Sequence, residues 1–217
     1  MLSLEQRVDP RNTALIVVDV QNDFCHPGGG MARSFGAGIV AHIEAAMPNL
    51  HRLIEAARAA GVFIVFIQSI YDEQYLSPAM LDQKERRGSK KICQSGTWGA
   101  EFYGGVAPDP GRGEIVVVKH RFDAFSGTEL DSELRRRDIT RLLCCGFTTS
   151  ICVESTARDA FFRDYYTAIV ADAVAEFDLD LHQSTLKTFN RSFGPVLTVD
   201  EILAVWKRAE ASASKTA

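Results

Sequence analysis

RLLCCGFTTSICVEST, at residues 141–156, is the stretch that decides the fold of this 217-residue chain. Its first five residues form a short apolar run typical of a buried strand, and Gly146 follows as a strand breaker. Apolar residues then recur at helical spacing from Val153 to Phe161, which predicts a helix that begins close to Cys152. The stretch is therefore expected to fold as strand, tight turn and helix, with a thiol at the turn.

The predicted position of Cys152 favours nucleophilic chemistry. A helix N-terminus carries partial positive charge and unpaired backbone N–H groups, which lower the pKa of a nearby thiol and can hold an oxyanion. The alternative is that Cys152 is a small buried side chain that only packs, the more common fate of a free cysteine. The rest of the chain must decide between the two.

The same alternation of strand and helix extends outward over most of the chain. Short runs of β-branched and aliphatic residues predict further buried parallel strands at residues 13–19, 63–69, 114–119 and 167–171, and a short last strand at Val196. Helical patterns occupy residues 40–60, 128–137, 152–165 and 179–189, and Thr198 with Glu201 forms a capping box before a final helix.

Parallel strands need helical crossovers, so this alternation predicts an α/β fold. We expect a single-domain three-layer αβα sandwich with a doubly wound, mostly parallel six-stranded sheet. Residues 1–208 are assigned to this domain and residues 209–217 to a disordered tail. Residues 70–113 are rich in polar residues, Gly and Pro, and are expected to shape a site.

Composition argues against several classes of partner. The net charge is −4, from 24 Lys and Arg against 28 Asp and Glu, and the basic residues are scattered, which disfavours nucleic acid. No run approaches the roughly 18 apolar residues that cross a bilayer, so no membrane partner is expected. The five cysteines show neither C-x-x-C nor zinc spacing, which predicts a reducing, cytoplasmic location and no metal site.

Polar residues at three predicted strand ends are candidates for catalysis. Asp19 closes the first strand, Lys119 closes the third, and Cys152 follows the fourth. The carboxyl ends of parallel strands share one edge of the sheet, where ligands of such folds bind. A carboxylate there can accept the thiol proton and an ammonium can stabilise the thiolate. Taken singly, the three could instead be a turn cap, an exposed strand end and a packing residue.

Three motifs resemble the isochorismatase-like cysteine hydrolase superfamily: VVDVQNDF (17–24), VVKHRFDAFSGTELD (117–131) and GFTTSICVEST (146–156). The resemblance implies that superfamily's hydrolase fold and a catalytic triad of Asp19, Lys119 and Cys152. It also implies a cis peptide between Phe147 and Thr148, an oxyanion hole from the Thr148 and Cys152 amides, no cofactor, a small-molecule substrate and a homodimer or homotetramer.

Within that superfamily the chain is most similar to ureidoacrylate and N-carbamoyl amidohydrolases, through residues 71–75, 96–98 and 153–162. This similarity implies a cysteine-dependent amidohydrolase that releases ammonia from a small ureido, N-carbamoyl or amide substrate through an acyl-enzyme. Phe122 and Ser69 depart from that pattern, which often has a tyrosine and an amide there. A nicotinamidase-type or isochorismatase-type hydrolase stays the alternative, although QSIYDEQY (68–75) lacks the nicotinamidase Asp-x-His metal motif and Cys152 disfavours an isochorismatase.

Substrate-binding candidates come from the loops that follow strands and from the irregular segment. The aromatic residues there are expected to wall a pocket, with ordinary core packing as the alternative: Phe24, Tyr71, Trp98, Phe122 and Phe125. Gln74, beside Glu73, is expected to hydrogen-bond a ureido group or carboxylate, with a solvated loop as the alternative.

Two interpretations from other classes of protein compete with the interpretation as an enzyme. A nucleotide-binding module fits the α/β rhythm, but no G-x-G-x-x-G or P-loop follows the first strand. A catalytically silent binding protein, or a thiol redox sensor based on Cys144 and Cys145, would use the same fold. Fast, selective alkylation of Cys152 would favour the enzyme.

Overall fold

Six parallel strands form one sheet in the order β3-β2-β1-β4-β5-β6 in the computed structural model, which describes residues 2–88 and 91–213. The strands are β1 Thr13–Val18, β2 Phe63–Ser69, β3 Ile115–Lys119, β4 Arg141–Phe147, β5 Tyr166–Ala175 and β6 Val196–Leu197. All neighbouring pairs are parallel. This arrangement confirms the predicted doubly wound α/β fold.

Helices cover both faces of the sheet. They are α1 Leu4–Arg7, α2 Asn22–Cys25, α3 Gly30–Phe35, α4 Ala41–Ala59, α5 Pro78–Arg86, α6 Leu130–Arg135, α7 Glu154–Phe162, α8 Leu179–Ser192 and α9 Val199–Ala213. The chain runs outward from β1 in one direction through α4 and from β4 in the other through α7. The right-handed rule for such crossovers places α4 and α7 on opposite faces, and α9 packs beside α4.

The core is continuous across the sheet. All six residues of β1 are buried, since this strand lies between β2 and β4 with helices above and below. Gly146 brings β4 close to β1: it has φ +100°, and a Cβ on it would lie 2.1 Å from the Val18 carbonyl oxygen. A register irregularity separates Cys144 from Gly146, and β4 continues to Phe147, two residues beyond the predicted end.

The predicted strands and helices are present, but their bounds differ in places and the short helices α1, α2 and α3 were not predicted. The helix expected from Cys152 begins at Glu154, because a π-helical turn, Thr149–Val153, precedes it. Helix α5 lies inside the segment that the sequence suggested was irregular. Helix α9 runs to Ala213, into the predicted tail of residues 209–217, whose last four residues lie outside the described ranges.

The capping box is confirmed, since the Thr198 amide donates to Glu201 Oε2 at 2.8 Å and the Glu201 amide to Thr198 Oγ1 at 3.3 Å. None of the helices in the described ranges is long and apolar enough to cross a membrane.

Candidate active site

The carboxyl edge of the sheet brings the three predicted catalytic side chains together. Asp19 follows β1, Lys119 ends β3, and β2 between them ends at Ser69, which lies in register with Lys119. Cys152 comes from the other side, because β4 is the second neighbour of β1. An acid, a hydroxyl, an ammonium and a thiol therefore share the point at which the strand order reverses, where open α/β sheets bind ligands.

Asp19 and Lys119 form a fully buried ion pair. Lys119 Nζ lies 2.9 Å from Asp19 Oδ2, and both side chains are 0% exposed. The ammonium also donates to the Phe122 carbonyl oxygen at 2.6 Å. Burial favours the neutral amine, but the charge of Asp19, together with that of Cys152 once the thiol ionises, outweighs burial and raises the pKa of Lys119. The lysine is therefore a fixed cation.

Two hydroxyl groups extend this pair towards the cavity. Ser69 Oγ lies 3.0 Å from Asp19 Oδ1 and 3.1 Å from Tyr71 Oη. Because a serine has one hydroxyl proton, which the carboxylate accepts, the tyrosine donates its own proton to Ser69. Burial, followed by the charge of Cys152 once it ionises and by that of Asp19, raises the pKa of Tyr71 and keeps this donor protonated. Asp19 Oδ2 has no well-directed hydrogen bond although Lys119 is at ion-pair distance, so a lone pair stays available.

Cys152 is a neutral thiol in the resting site. It is 4% exposed, within hydrogen-bonding range of both Asp19 and Lys119. Burial raises its pKa to about 12; Lys119 acts in the opposite direction, and Asp19 adds to the rise. The lowered pKa expected from a helix N-terminus is therefore wrong, because desolvation of the thiolate outweighs the favourable charges.

The turn that carries Cys152 is held by a side chain just after β5 and by one from α8. Glu176 Oε2 accepts from the Ser150 amide at 2.9 Å and from its hydroxyl at 2.6 Å, and Thr149 Oγ1 lies 2.9 Å from His182 Nδ1. The peptide bond between Phe147 and Thr148 is cis. Thr148 and Cys152 both line the cavity, so the residues expected to supply oxyanion amides lie beside the thiol.

A cavity of about 250 Å³ opens above Cys152. Three predicted binding residues, Phe24, Tyr71 and Phe122, are among its walls. Its other lining residues are Met31, Ser34, Phe35, Ile39, Met80, Gln83, Lys84, Arg87, Ile92, Thr148, Ser150, Ile151, Glu176, Phe177, Asp178 and Leu181. Its size suits a small molecule, and most of its walls are apolar.

The other three predicted binding residues lie outside this lining. Gln74 is exposed on a short 3₁₀ turn. Trp98 is half exposed and packs edge-on against the His26 ring at 5.0 Å. Phe125 is buried against the Tyr165 ring at 6.0 Å. The aromatic character of a loop residue predicts burial but not which neighbour it meets.

Sequence reasoning missed one face of α5 and the acid behind the thiol. Met80, Gln83, Lys84 and the C-cap residue Arg87 line the cavity at helical spacing, but only Met80 is apolar, so no apolar periodicity marks them in the sequence. Glu176 is buried at the end of β5 and carries no motif signal. Within the described ranges, no group of three or more His, Cys, Asp or Glu side chains is arranged to hold a metal ion.

Comparisons with known proteins agree with this geometry. The ureidoacrylate amidohydrolase RutB of Methylobacterium radiotolerans is 34% identical over 224 residues, covering 95% of this chain and 85% of that protein. A cysteine hydrolase structure from Pseudomonas syringae pv. phaseolicola has a TM-score of 0.79 at 27% identity, covering 92% of this chain and 94% of that one. The structure of N-carbamoylsarcosine amidase from Thermoplasma acidophilum has a TM-score of 0.70 at 28% identity, covering 87% of this chain and 97% of that one. Residues 13–201 match the family described as Isochorismatase domain, so the chain belongs to the isochorismatase-domain family of hydrolases.

Proposed function

We propose that this chain is a cysteine-dependent amidohydrolase that cleaves a C–N bond of a small ureido, N-carbamoyl or amide substrate. The observation that carries the proposal is the buried Asp19–Lys119 pair beside the Cys152 thiol, at the floor of a small cavity. Relatives named as a ureidoacrylate amidohydrolase and an N-carbamoylsarcosine amidase support this class of substrate.

In the first step, Asp19 takes the Cys152 proton while the sulfur attacks the carbonyl carbon. The thiol is neutral before substrate arrives, since burial raises its pKa to about 12, so proton transfer and attack are coupled. The Ser69 hydroxyl holds Asp19 Oδ1, which leaves Oδ2 to act as the base. Lys119 balances the negative charge of the site at each stage.

The second step breaks the C–N bond. The tetrahedral oxyanion accepts hydrogen bonds from the Thr148 and Cys152 amides, and Asp19 returns its proton to the leaving nitrogen. Ammonia leaves, and the carbonyl group stays on the sulfur as a thioester from a primary amide or as a thiocarbamate from a ureido substrate. Water, deprotonated by Asp19, then attacks this carbonyl group, releasing a carbamate or carboxylate and restoring the thiol.

Ammonia release by wild type and by Cys152→Ala tests the proposal. Substrates are ureido acids, N-carbamoyl amino acids, simple amides and nicotinamide, which covers the nicotinamidase alternative. We expect turnover of at least one carbamoyl compound and a loss of at least about 10³-fold in Cys152→Ala. Cys144→Ala is the matched control, since Cys144 is buried in β4. A Cys152→Ala protein that keeps the wild-type rate contradicts the mechanism.

Mass spectrometry of the quenched reaction gives a second readout. The wild-type protein should carry the acyl mass on the peptide that contains Cys152, and Cys152→Ala should carry none. An acyl group on another residue would contradict the assignment of the nucleophile.

A further inference from the structure

Ser69 and Tyr71 connect Asp19 to the cavity through two hydroxyl groups. Both side chains are buried, with exposures of 0% for Ser69 and 4% for Tyr71, and Tyr71 lines the cavity together with Cys152 and Thr148. Ser69 Oγ lies 3.0 Å from Asp19 Oδ1 and 3.1 Å from Tyr71 Oη. The three groups therefore form a chain of hydrogen bonds that begins at the proposed base and ends at the cavity wall.

The backbone around both hydroxyl-bearing residues is fixed. The Gln21 side chain accepts from the Ser69 amide at 2.8 Å and donates to the Ser69 carbonyl oxygen at 3.0 Å. The Tyr71 amide donates to the Cys93 carbonyl oxygen at 3.0 Å, and Gln94 Nε2 donates to the Tyr71 carbonyl oxygen at 2.8 Å. Polar groups held in this way act on a reacting group without having to reorganise.

The chain of hydrogen bonds can run in only one direction. The Asp19 carboxylate accepts the single hydroxyl proton of Ser69, so Ser69 Oγ must accept the proton of Tyr71. The opposite orientation of Tyr71 would place two oxygen lone pairs against each other at 3.1 Å. Asp19 Oδ1 stays an acceptor after Oδ2 has taken the Cys152 proton, so the direction is the same at each step of the reaction.

This direction leaves Tyr71 Oη with a lone pair that no donor fills. Within the described residues, its one hydrogen bond is the bond that it donates to Ser69. Lys119 already donates to the Phe122 carbonyl oxygen at 2.6 Å and lies within hydrogen-bonding range of Cys152. Burial raises the pKa of Tyr71, so the hydroxyl keeps its proton and its direction. A buried acceptor without a donor is costly unless a ligand supplies one.

The leaving group of the substrate is the part that can supply this donor. When the carbonyl oxygen accepts from the Thr148 and Cys152 amides, the leaving atom lies on the side of Asp19 and Tyr71. An NH2 group brings N–H donors there, whereas the alkoxy oxygen of an ester brings only lone pairs. The N–H donor also becomes stronger as Asp19 protonates the nitrogen, so the contact with Tyr71 favours the transition state.

We propose that Tyr71 Oη accepts a hydrogen bond from the leaving NH2 group, and that the Ser69–Tyr71 pair thereby selects nitrogen over oxygen leaving groups. The assignment rests on the proposed function, because it takes Cys152 as the nucleophile and Asp19 as the acid that protonates the leaving nitrogen. Tyr71 is then a specificity-determining residue that touches the substrate, and Ser69 is the positioning residue that fixes its proton.

A matched amide and ester test the assignment in wild type and Tyr71→Phe. The amide is the primary amide or urea that releases ammonia fastest in the screen described above, and its partner carries OCH3 in place of NH2. In Tyr71→Phe, kcat/KM for the amide should fall at least about tenfold, because the leaving nitrogen loses its acceptor. The ester has no such contact to lose, so its kcat/KM should fall less than about twofold.

Two further variants separate this contact from general damage to the site. Ser69→Ala frees the Tyr71 proton to turn towards the cavity, so the amide-to-ester ratio of kcat/KM should fall at least about tenfold there as well. Tyr75→Phe is the matched control, because Tyr75 is 43% exposed, stacks on His120 at 4.3 Å and lies outside the cavity lining. Its ratio should match wild type. Equal losses for amide and ester in Tyr71→Phe, or an unchanged amide rate, would overturn the assignment.

A binding experiment keeps the two proposals apart. If wild type hydrolyses no compound in the screen, the proposed function fails, and ligand-observed NMR titrations of Cys152→Ala with hexanamide and methyl hexanoate still report on Tyr71. Adding Tyr71→Phe to Cys152→Ala should shift the ratio of the two dissociation constants at least about threefold against the amide. An unchanged ratio, or no binding of either compound, would refute the contact with Tyr71.

Discussion

The protonated thiol of Cys152 has a consequence for stability that can be measured. Its pKa is raised by burial to about 12, against an ordinary value of 9.0. Between these values the folded chain keeps a proton that the unfolded chain has lost, so the free energy of unfolding falls as pH rises through this window. The loss attributable to this group is about 1.4 kcal/mol at pH 10 and approaches about 4 kcal/mol above pH 12.

Urea unfolding of wild type and Cys152→Ala between pH 7 and pH 10 measures this effect. The other four cysteines are also buried, but both proteins contain them, so their contributions cancel in the difference. We expect the variant to gain stability relative to wild type as pH rises, by about 1.4 kcal/mol at pH 10. Parallel pH dependences would show that the folded thiol titrates normally and would refute the reasoning.

Alkylation of the native protein reports the same proton directly. At pH 8 the thiolate fraction of Cys152 should be about 10⁻⁴, roughly a thousandfold below that of an ordinary thiol. Iodoacetamide should therefore modify it slowly, with a rate that keeps rising above pH 9, so slow alkylation does not separate the enzyme from a silent binding protein. A rate that levels off below pH 8 would mean that Lys119 and the backbone dipoles outweigh burial.

Further substitutions test the supports of the site. Ser69→Ala leaves Asp19 Oδ1 without its hydrogen bond and should lower kcat/KM by about 10- to 100-fold, the effect expected for losing a hydrogen bond to a buried charge. Tyr71→Phe should lower kcat/KM little further when combined with Ser69→Ala. Additive losses in the double variant would contradict a shared hydrogen-bond network. Gly146→Ala forces a Cβ to within 2.1 Å of the β1 backbone at φ +100° and should destabilise by at least about 3 kcal/mol in urea unfolding. Gly38→Ala, with nothing within 4 Å, is its control, and equal midpoints would contradict the steric account.

Much of the fold could be predicted because buried parallel strands have a simple signature. A run such as FIVFIQS is apolar on both faces, and β2 has the predicted bounds, Phe63–Ser69. The positions of Asp19 and Lys119 at strand ends also followed, since parallel strands point their carboxyl ends to one edge. In such a chain, the residues that end successive strands can therefore be expected to meet at one site.

Other features depend on contacts that spacing does not encode. The segment that forms α5 is polar overall, because its inward face meets a cavity and not the core, so no apolar stripe marked it. The pKa of Cys152 depends on how completely neighbouring residues exclude water, which a local helix argument cannot supply. The aromatic character of Trp98 and Phe125 predicted that they wall the pocket, but each packs against a ring from a distant segment of the chain.

Helix α5 supplies part of the cavity wall from a segment of the chain that holds none of the three proposed catalytic residues. It lies within the long connection between β2 and β3, which leaves the carboxyl edge of the sheet at Ile70, where the Ile70 amide donates to the Lys119 carbonyl oxygen at 3.0 Å. The proposed reacting groups, Asp19, Lys119 and Cys152, lie outside this connection, so a substitution among the cavity-lining residues of α5 can change the cavity wall without moving the nucleophile or its base. Substitutions confined to this helix, in evolution or by design, can therefore change the cavity while the proposed catalytic residues keep their positions.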